Sequence, residues 1–265
     1  MAATIAVLSQ KGGTGKTTTV RTLTDIFRRI GLETLAVDLD PQGNLSDYFD
    51  VPPDADPTVA EVLTGRAAAG DAVHDGVIPA NLQLAEAELA LAGKMGRELT
   101  LKRALRDVAG SHDVVLIDCP PALGLLTVNA LVAADQALIT AEAQYFALQG
   151  VEQALEVIEL ARDNLNPDLQ WLGVVLNLAD MRTIHSREAH QSLAQSFGDR
   201  VFDTTIRQSI GYAESAERAV SIIDYRPDLG ADYVALADEL LARLDLGDAR
   251  SRLAPLLSEY ARDGR

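Results

Sequence analysis

The chain has 265 residues, 48% hydrophobic and 5% aromatic, with 39 acidic side chains against 23 lysines and arginines and a net charge of −16. That length allows one large domain with a substantial core, and the acidity disfavours indiscriminate attraction to DNA or anionic lipid, so any DNA-facing surface has to be local. A single cysteine, Cys119, rules out an intramolecular disulfide and points to a reducing cytoplasm; the four histidines lack metal spacing, no apolar run reaches 18 residues, and no basic leader precedes the first strand.

In chain order, Thr4-Ile5-Ala6-Val7-Leu8-Ser9 is an apolar, β-branched run with no polar face, as expected of a parallel strand covered on both sides. It leads into Gln10-Lys11-Gly12-Gly13-Thr14-Gly15-Lys16-Thr17-Thr18-Thr19. Three glycines in four positions let the backbone curl and point successive N–H groups inward. The positive end of the following helix completes an anion site suited to phosphate. Gly12, Gly13, Thr14, Gly15 and Thr18 are expected around a nucleotide, with Lys16 bridging β- and γ-phosphate oxygens and Thr17 offering its hydroxyl to Mg²⁺. Ordinary P-loop spacing wants glycine where Gln10 stands; here Lys11 opens the loop instead.

Residues 18–30 carry Val20, Leu23, Ile26, Phe27 and Ile30 at helical spacing, closed by Gly31. A second strand, 32–39, ends in Asp38-Leu39-Asp40-Pro41-Gln42-Gly43-Asn44, placing two carboxylates where α/β sheets bind ligands. Residues 48–80 read as a peripheral insertion with a short helix near 59–63, residues 81–86 as a strand, and 98–108 as a helix ended by Gly110. Residues 113–118 form an apolar strand delivering Asp118, a Walker B pattern whose carboxylate would hold the Mg²⁺ shell; Cys119 reads as a small buried filler. Then follow a helix (123–132), a strand (136–140), a loop (141–150), a helix (151–165), a strand (169–176) closing on Asn177, a helix to Phe197, a strand (201–206), a helix (228–246) and a tail (247–265). The alternation implies an α/β fold with a doubly wound, mostly parallel sheet flanked by helices.

Lys11-Gly12-Gly13-Thr14-Gly15-Lys16-Thr17 resembles the deviant Walker A loop of the ParA/MinD family of ATPases. Asp40-Pro41-Gln42-Gly43, Asp118-Cys119-Pro120-Pro121, Gln144-Tyr145-Phe146-Ala147-Leu148-Gln149-Gly150 and the segment 207–215 also follow that family, and the likeness spans residues 4–246. It implies a P-loop NTPase domain over 1–246 that uses ATP and Mg²⁺. Lys11, Lys16 and Asp40 would then be catalytic: Asp40 positions the attacking water, beside Thr17 and Asp118 at the metal, and Asp38 supports the metal or the loop. Lys11 would cross a two-fold interface to the partner's ATP, making an ATP-sandwiched homodimer, with residues 144–150 lining its cleft. Asn177 would contact adenine, and Arg207, after the last strand, would also bind the nucleotide. In that last region Gln208 and Gly211 stand where a basic residue is expected, and the usual proline is missing.

The resemblance further implies a slow, partner-stimulated timer with a ParB-like activator, cytoplasmic and nucleoid-associated when ATP-bound. Nonspecific DNA would be held by Arg182, Arg187, Arg200, Arg207, Arg218 and Arg226; from 182 to 226 six arginines face six acids, a neutral stretch in an acidic chain. A solvated, salt-bridged face is the competing account of the same arginines. A MinD-like membrane-cycling regulator is the alternative, but it calls for a basic amphipathic C-terminal helix, and 248–265 contains no lysine, so no stable membrane insertion is expected. An iron–sulfur reductase of the same superfamily would need two cysteines per subunit.

Overall fold

The computed structural model describes residues 2–144 and 146–263. In chain order it contains β1 (Ala3–Leu8), α1 (Lys16–Arg29), β2 (Thr34–Asp38), α2 (Asn44–Tyr48), α3 (Val59–Thr64), β3 (Val77–Ile78), α4 (Gln83–Leu91), α5 (Thr100–Ala109), β4 (Val114–Asp118) and α6 (Leu125–Ala133). There follow β5 (Gln136–Glu142), α7 (Ala147–Asn164), β6 (Gln170–Ala179), α8 (Ile184–Phe197), β7 (Val201–Arg207), α9 (Gly211–Glu217), α10 (Ile222–Tyr225), α11 (Pro227–Arg243) and α12 (Gly247–Asp263).

The strands pair in the order β3-β2-β4-β1-β5-β6-β7, every pairing parallel. The chain leaves β1 toward one edge, returns to insert β4 between β1 and β2, then builds β5 to β7 on the other side. That reversal brings the carboxyl ends of β1, β2 and β4 together, the usual place for a ligand in such a sheet. Asp38 and Asp118 are register partners at the ends of β2 and β4. Side chains alternate faces along each strand. In β1, Ile5 and Val7 join a core under α1, α11 and α12, while Ala6 and Leu8 join a second core under α3 to α8. All four are fully buried, which is why the run shows no polar face.

Three expectations need correction. Residues 81–86 are not a strand: α4 begins within that stretch, at Gln83, with Leu84, Ala87 and Leu91 buried at helical spacing. Leu82 and Leu84 alternate too briefly to outweigh an Ala-, Glu- and Leu-rich run of good helix formers. The edge strand on this side of the sheet is β3, paired with β2 at Ala36 and Val37. The stretch 48–80 is accordingly less peripheral than expected, since α3 also sends Val59, Ala60, Val62 and Leu63 into the core. Residues 247–263 are not a loose tail. They form α12, which buries Ala249, Leu253 and Tyr260; the Tyr260 hydroxyl donates to Ile223 O at 2.8 Å, and Arg250 pairs with Asp238 at 2.7 Å. Tyr145, expected near the dimer cleft, and residues 264–265 lie outside the described residues.

Candidate functional site

The glycine-rich turn joins β1 to α1 with Gly13 and Gly15 in left-handed conformation, at φ of 75° and 82°. A Cβ at Gly15 would press on Asn177 Nδ2 at 2.6 Å, whereas one at Gly12 or Gly13 would meet nothing within 4 Å. The loop is therefore braced at its base and open along its outer rim. Its interior is organised by Ser9. The Ser9 hydroxyl donates to Lys11 O at 2.7 Å and accepts from Thr14 Oγ1 at 2.8 Å and from Lys16 Nζ at 3.1 Å. With Thr14 donating to Ser9, Thr140 Oγ1 is left to donate to Thr14 Oγ1 at 3.0 Å. Lys16 is buried, so its ammonium is held among neutral oxygens inside the loop. Ser9 and Thr140 went unnoticed in the sequence; the only signal was a hydroxyl at the end of each neighbouring strand.

Thr17 Oγ1 donates to Asp118 Oδ2 at 2.7 Å, joining the first turn of α1 to the end of β4. Asp118 Oδ1 is buried and, among the described residues, has no hydrogen-bond partner. Burial, with the Asp38 carboxylate beside it, pushes the Asp118 carboxyl up to about 8, against the opposing pull of Thr17 and Lys16. Asp38 Oδ1 accepts from Asp40 N at 3.1 Å, and its Oδ2 accepts from Ser46 N at 2.9 Å and Ser46 Oγ at 2.7 Å. Burial raises the Asp38 carboxyl to about 6 despite those bonds. Asp40, nearly buried, turns its own loop by accepting Gln42 N at 3.0 Å. A hard divalent cation takes oxygen ligands of this kind. The orphaned Asp118 oxygen, the neighbouring Thr17 hydroxyl and the crowded carboxylates thus fit Mg²⁺.

The other expected residues are placed differently from one another. Lys11 is exposed, with its ammonium 5.4 Å from the centre of the Phe146 ring. Thr18 is half-buried in the first turn of α1. Asn177 Oδ1 has no hydrogen-bond partner among the described residues. The side chain is buried beneath the loop, with Nδ2 donating to Thr14 O at 2.8 Å. Arg207 is turned onto α11, ion-paired with Asp232 at 2.8 Å and donating to Asp228 O. Cys119 is fully buried, and burial pushes its thiol far above the usual range, as a packing residue requires.

The six arginines differ in what holds them. Arg182 grips Asp180 through two bonds of 2.9 Å, and Arg226 grips Asp228 through two of 2.8 Å. Arg187 caps Met181 O and Arg182 O, and Arg218 lies 5.3 Å from the Tyr225 ring centre. Arg200 donates to Trp171 O at 2.6 Å beside the start of β7, at the pole of the sheet opposite the glycine-rich loop. Three of the six, Arg182, Arg207 and Arg226, are ion-paired with aspartates, a short-range effect invisible in a count of charges.

A family model described as an AAA domain matches residues 2–171. The chromosome-partitioning ATPase Soj of Thermus thermophilus is 39% identical over 247 residues, covering 91% of this chain and 96% of that protein. The chromosome partitioning protein ParA of Myxococcus xanthus is 34% identical over 259 residues, with 94% and 92% covered. The structure of cobyrinic acid a,c-diamide synthase from Mycobacterium smegmatis with bound ATP analog and magnesium is similar at a TM-score of 0.75 and 39% identity, over 83% of this chain and 93% of that one.

Proposed function

The chain belongs to the ParA/MinD family of ATPases, and on that premise we propose that it is a Mg²⁺-dependent ATPase that segregates or positions DNA, or another large cargo. It cycles between an ATP-bound dimer, which holds DNA nonspecifically, and a released monomer. The observation that carries this reading is the 2.7 Å bond from Thr17 to Asp118 beside the buried Lys16. It unites the phosphate loop with the carboxylate of the neighbouring strand in one corner.

Lys16 is held by a hydroxyl at 3.1 Å and a carbonyl at 3.5 Å. Neutral oxygens are weak partners for a buried ammonium, so the β- and γ-phosphate oxygens of ATP displace them. The N–H groups between Gly12 and Lys16 cradle the phosphates. Thr17 and Asp118 hold Mg²⁺, which when bound neutralises charge on the transferred phosphoryl group. Asp40 orients a water in line with the γ-phosphate, and the grip of Asp38 on Asp40 N and on Ser46 sets that loop. Lys11, exposed outside its own loop, reaches the ATP of a second copy, so nucleotide binding and dimerisation become one linked equilibrium. Loss of the γ-phosphate releases the Asp40 loop and parts the dimer, a slow step accelerated by a ParB-like activator. DNA contacts fall first to Arg187 and Arg218, which among the described residues carry no carboxylate partner. The protein works in the cytoplasm, on the nucleoid while ATP is bound.

The membrane-cycling alternative has less support. Of the apolar residues of α12, Ala249, Leu253 and Tyr260 are buried within the fold. In a test, Lys16→Ala should no longer retain Mg-ATP. Asp40→Ala should retain it, hydrolyse it about a hundredfold more slowly, and persist as a dimer in light scattering. A wild-type protein that stays monomeric and releases ATP in Mg²⁺ would overturn the reading.

A further inference from the structure

The helix that begins at the phosphate loop carries a second charged feature. On α1, Val20, Leu23, Ile26 and Phe27 face the sheet, and Arg21, Asp25, Arg28 and Arg29 recur at helical spacing elsewhere on its circumference. With Ala219, Val220, Ser221 and Asp224 they line a recess of about 420 Å³. Its charged wall holds three guanidiniums against two carboxylates, a positive surplus in a chain of net charge −16. Arg28 and Arg29 lie in the last turn of α1, where cations complement the helix dipole. That explanation does not reach Arg21, in the second turn.

Arg21 is unusual for a guanidinium. Its side chain is 12% exposed, and its only ion-pair partner among the described residues is Asp25, 15% exposed, with Nε 3.1 Å from Oδ2. That approach is off-axis, since neither atom closes a hydrogen bond among the described residues. A buried cation with an unspent donor is costly. Burial accordingly lowers the proton affinity of Arg21. Arg28 commits Nε and Nη2 to Thr34 O and Gly76 O, and Arg29 pairs with Asp224 through Nη2. Donors on all three guanidiniums therefore remain for something else.

We propose that this recess is a second anion site, one that takes a small phosphate-bearing molecule. A phosphate group offers several oxygens at once and can engage more than one of the three guanidiniums lining the recess, as a single carboxylate cannot. The recess is of ligand size. Asp25 and Asp224 at its wall, together with the overall charge, oppose a long polyanion such as DNA. The site is also wired to the nucleotide corner. The Arg21 guanidinium stacks 3.9 Å from the centre of the Phe49 ring and 5.3 Å from that of Tyr48, at the end of α2. The same short helix contains Ser46, which holds Asp38. An anion seated on Arg21 fixes α2 and, through it, the Asp40 loop. The site stands by itself; only its effect on hydrolysis rests on the ATPase reading.

The probe is inorganic pyrophosphate, titrated calorimetrically into Lys16→Ala protein so that the phosphate loop is disabled. One site is expected. Adding Arg29→Gln, a rim position whose loss leaves the core intact, should weaken it about tenfold, and Arg21→Gln more. Hydrogen exchange at residues 44–49 should slow with pyrophosphate and regain its free rate in the Arg29→Gln protein. Thermal melts establish that each variant is folded. The proposal is overturned if pyrophosphate affinity is indifferent to Arg29→Gln, or if that substitution releases a 20-base-pair DNA duplex while leaving pyrophosphate unaffected. Wild-type protein that fails to bind ATP, with the pyrophosphate site intact, would remove the ATPase reading and leave this one standing.

Discussion

A single hydroxyl sets the resting state of the phosphate loop. Ser9 Oγ accepts from Lys16 and Thr14 while donating to Lys11 O, so all its hydrogen-bonding capacity is used. Ser9→Ala leaves the buried ammonium with one carbonyl at 3.5 Å. We expect a loss of about 1–3 kcal/mol in the free protein. ATP supplies its own partners to Lys16, so the rise in melting temperature on adding Mg-ATP should be larger in the variant than in wild type. The paired carboxylates give a pH test. Burial and the closeness of the two carboxylates push both upward, Asp118 to about 8 and Asp38 to about 6, above the ordinary aspartate value of about 3.9. The folded state then holds protons that the unfolded chain has released. Their contribution to stability is complete at low pH and is lost as pH rises through 6 and then 8. Mg²⁺ competes with those protons, so it should raise the melting temperature more at pH 8 than at pH 6. Equal shifts at the two pH values would remove Asp38 and Asp118 from the metal site.

At the scale of elements, strands buried on both faces and helices with a clear apolar stripe were legible, because period 2 and period 3.6 survive in the residue order. What failed was short or depended on a distant partner. Residues 81–86 offered two leucines to a strand reading, yet the helix-forming run through Leu91 decided the outcome. The segment after Gly247 carries Leu253, Leu256 and Leu257 on one face, but it read as a tail because the surface that covers this face, α11 above all, is made by residues earlier in the chain. Leu253→Ala should therefore cost about 2–5 kcal/mol in urea unfolding, as for a core leucine; a cost near zero would return α12 to the status of a tail. In β6, Gly173 has φ of 145°, and a Cβ there would overlap Arg200 O at the point where pairing with β5 slips between Ala137 and Leu138. Gly173→Ala should destabilise by about 3 kcal/mol, or prevent folding, because neither backbone can retreat.

For the molecule as a whole, the excess of acid has to coexist with any hold on DNA. An ATP-trapped Asp40→Ala dimer should bind plasmid DNA with steep salt dependence. Arg187→Ala or Arg218→Ala should weaken that binding about tenfold, and Arg200→Ala, at the opposite pole, should leave it unchanged. Binding to anionic vesicles in place of DNA would favour the membrane-cycling account. By itself the sequence determined the chemistry of the site: the glycine-rich loop, Lys16, Thr17 and Asp118 are local patterns, each written within a few neighbouring residues. The topology decided the rest. Only the return of β4 between β1 and β2 sets Asp118 against Thr17, 101 residues away. Only packing reveals that Asn177 braces the loop from beneath, that Arg207 is tied to α11, and that Arg21 is buried with a donor unspent. Hydrogen bonds and ion pairs act over a few ångströms, and residues far apart in the chain come within that range only when the sheet and its two helical layers are assembled.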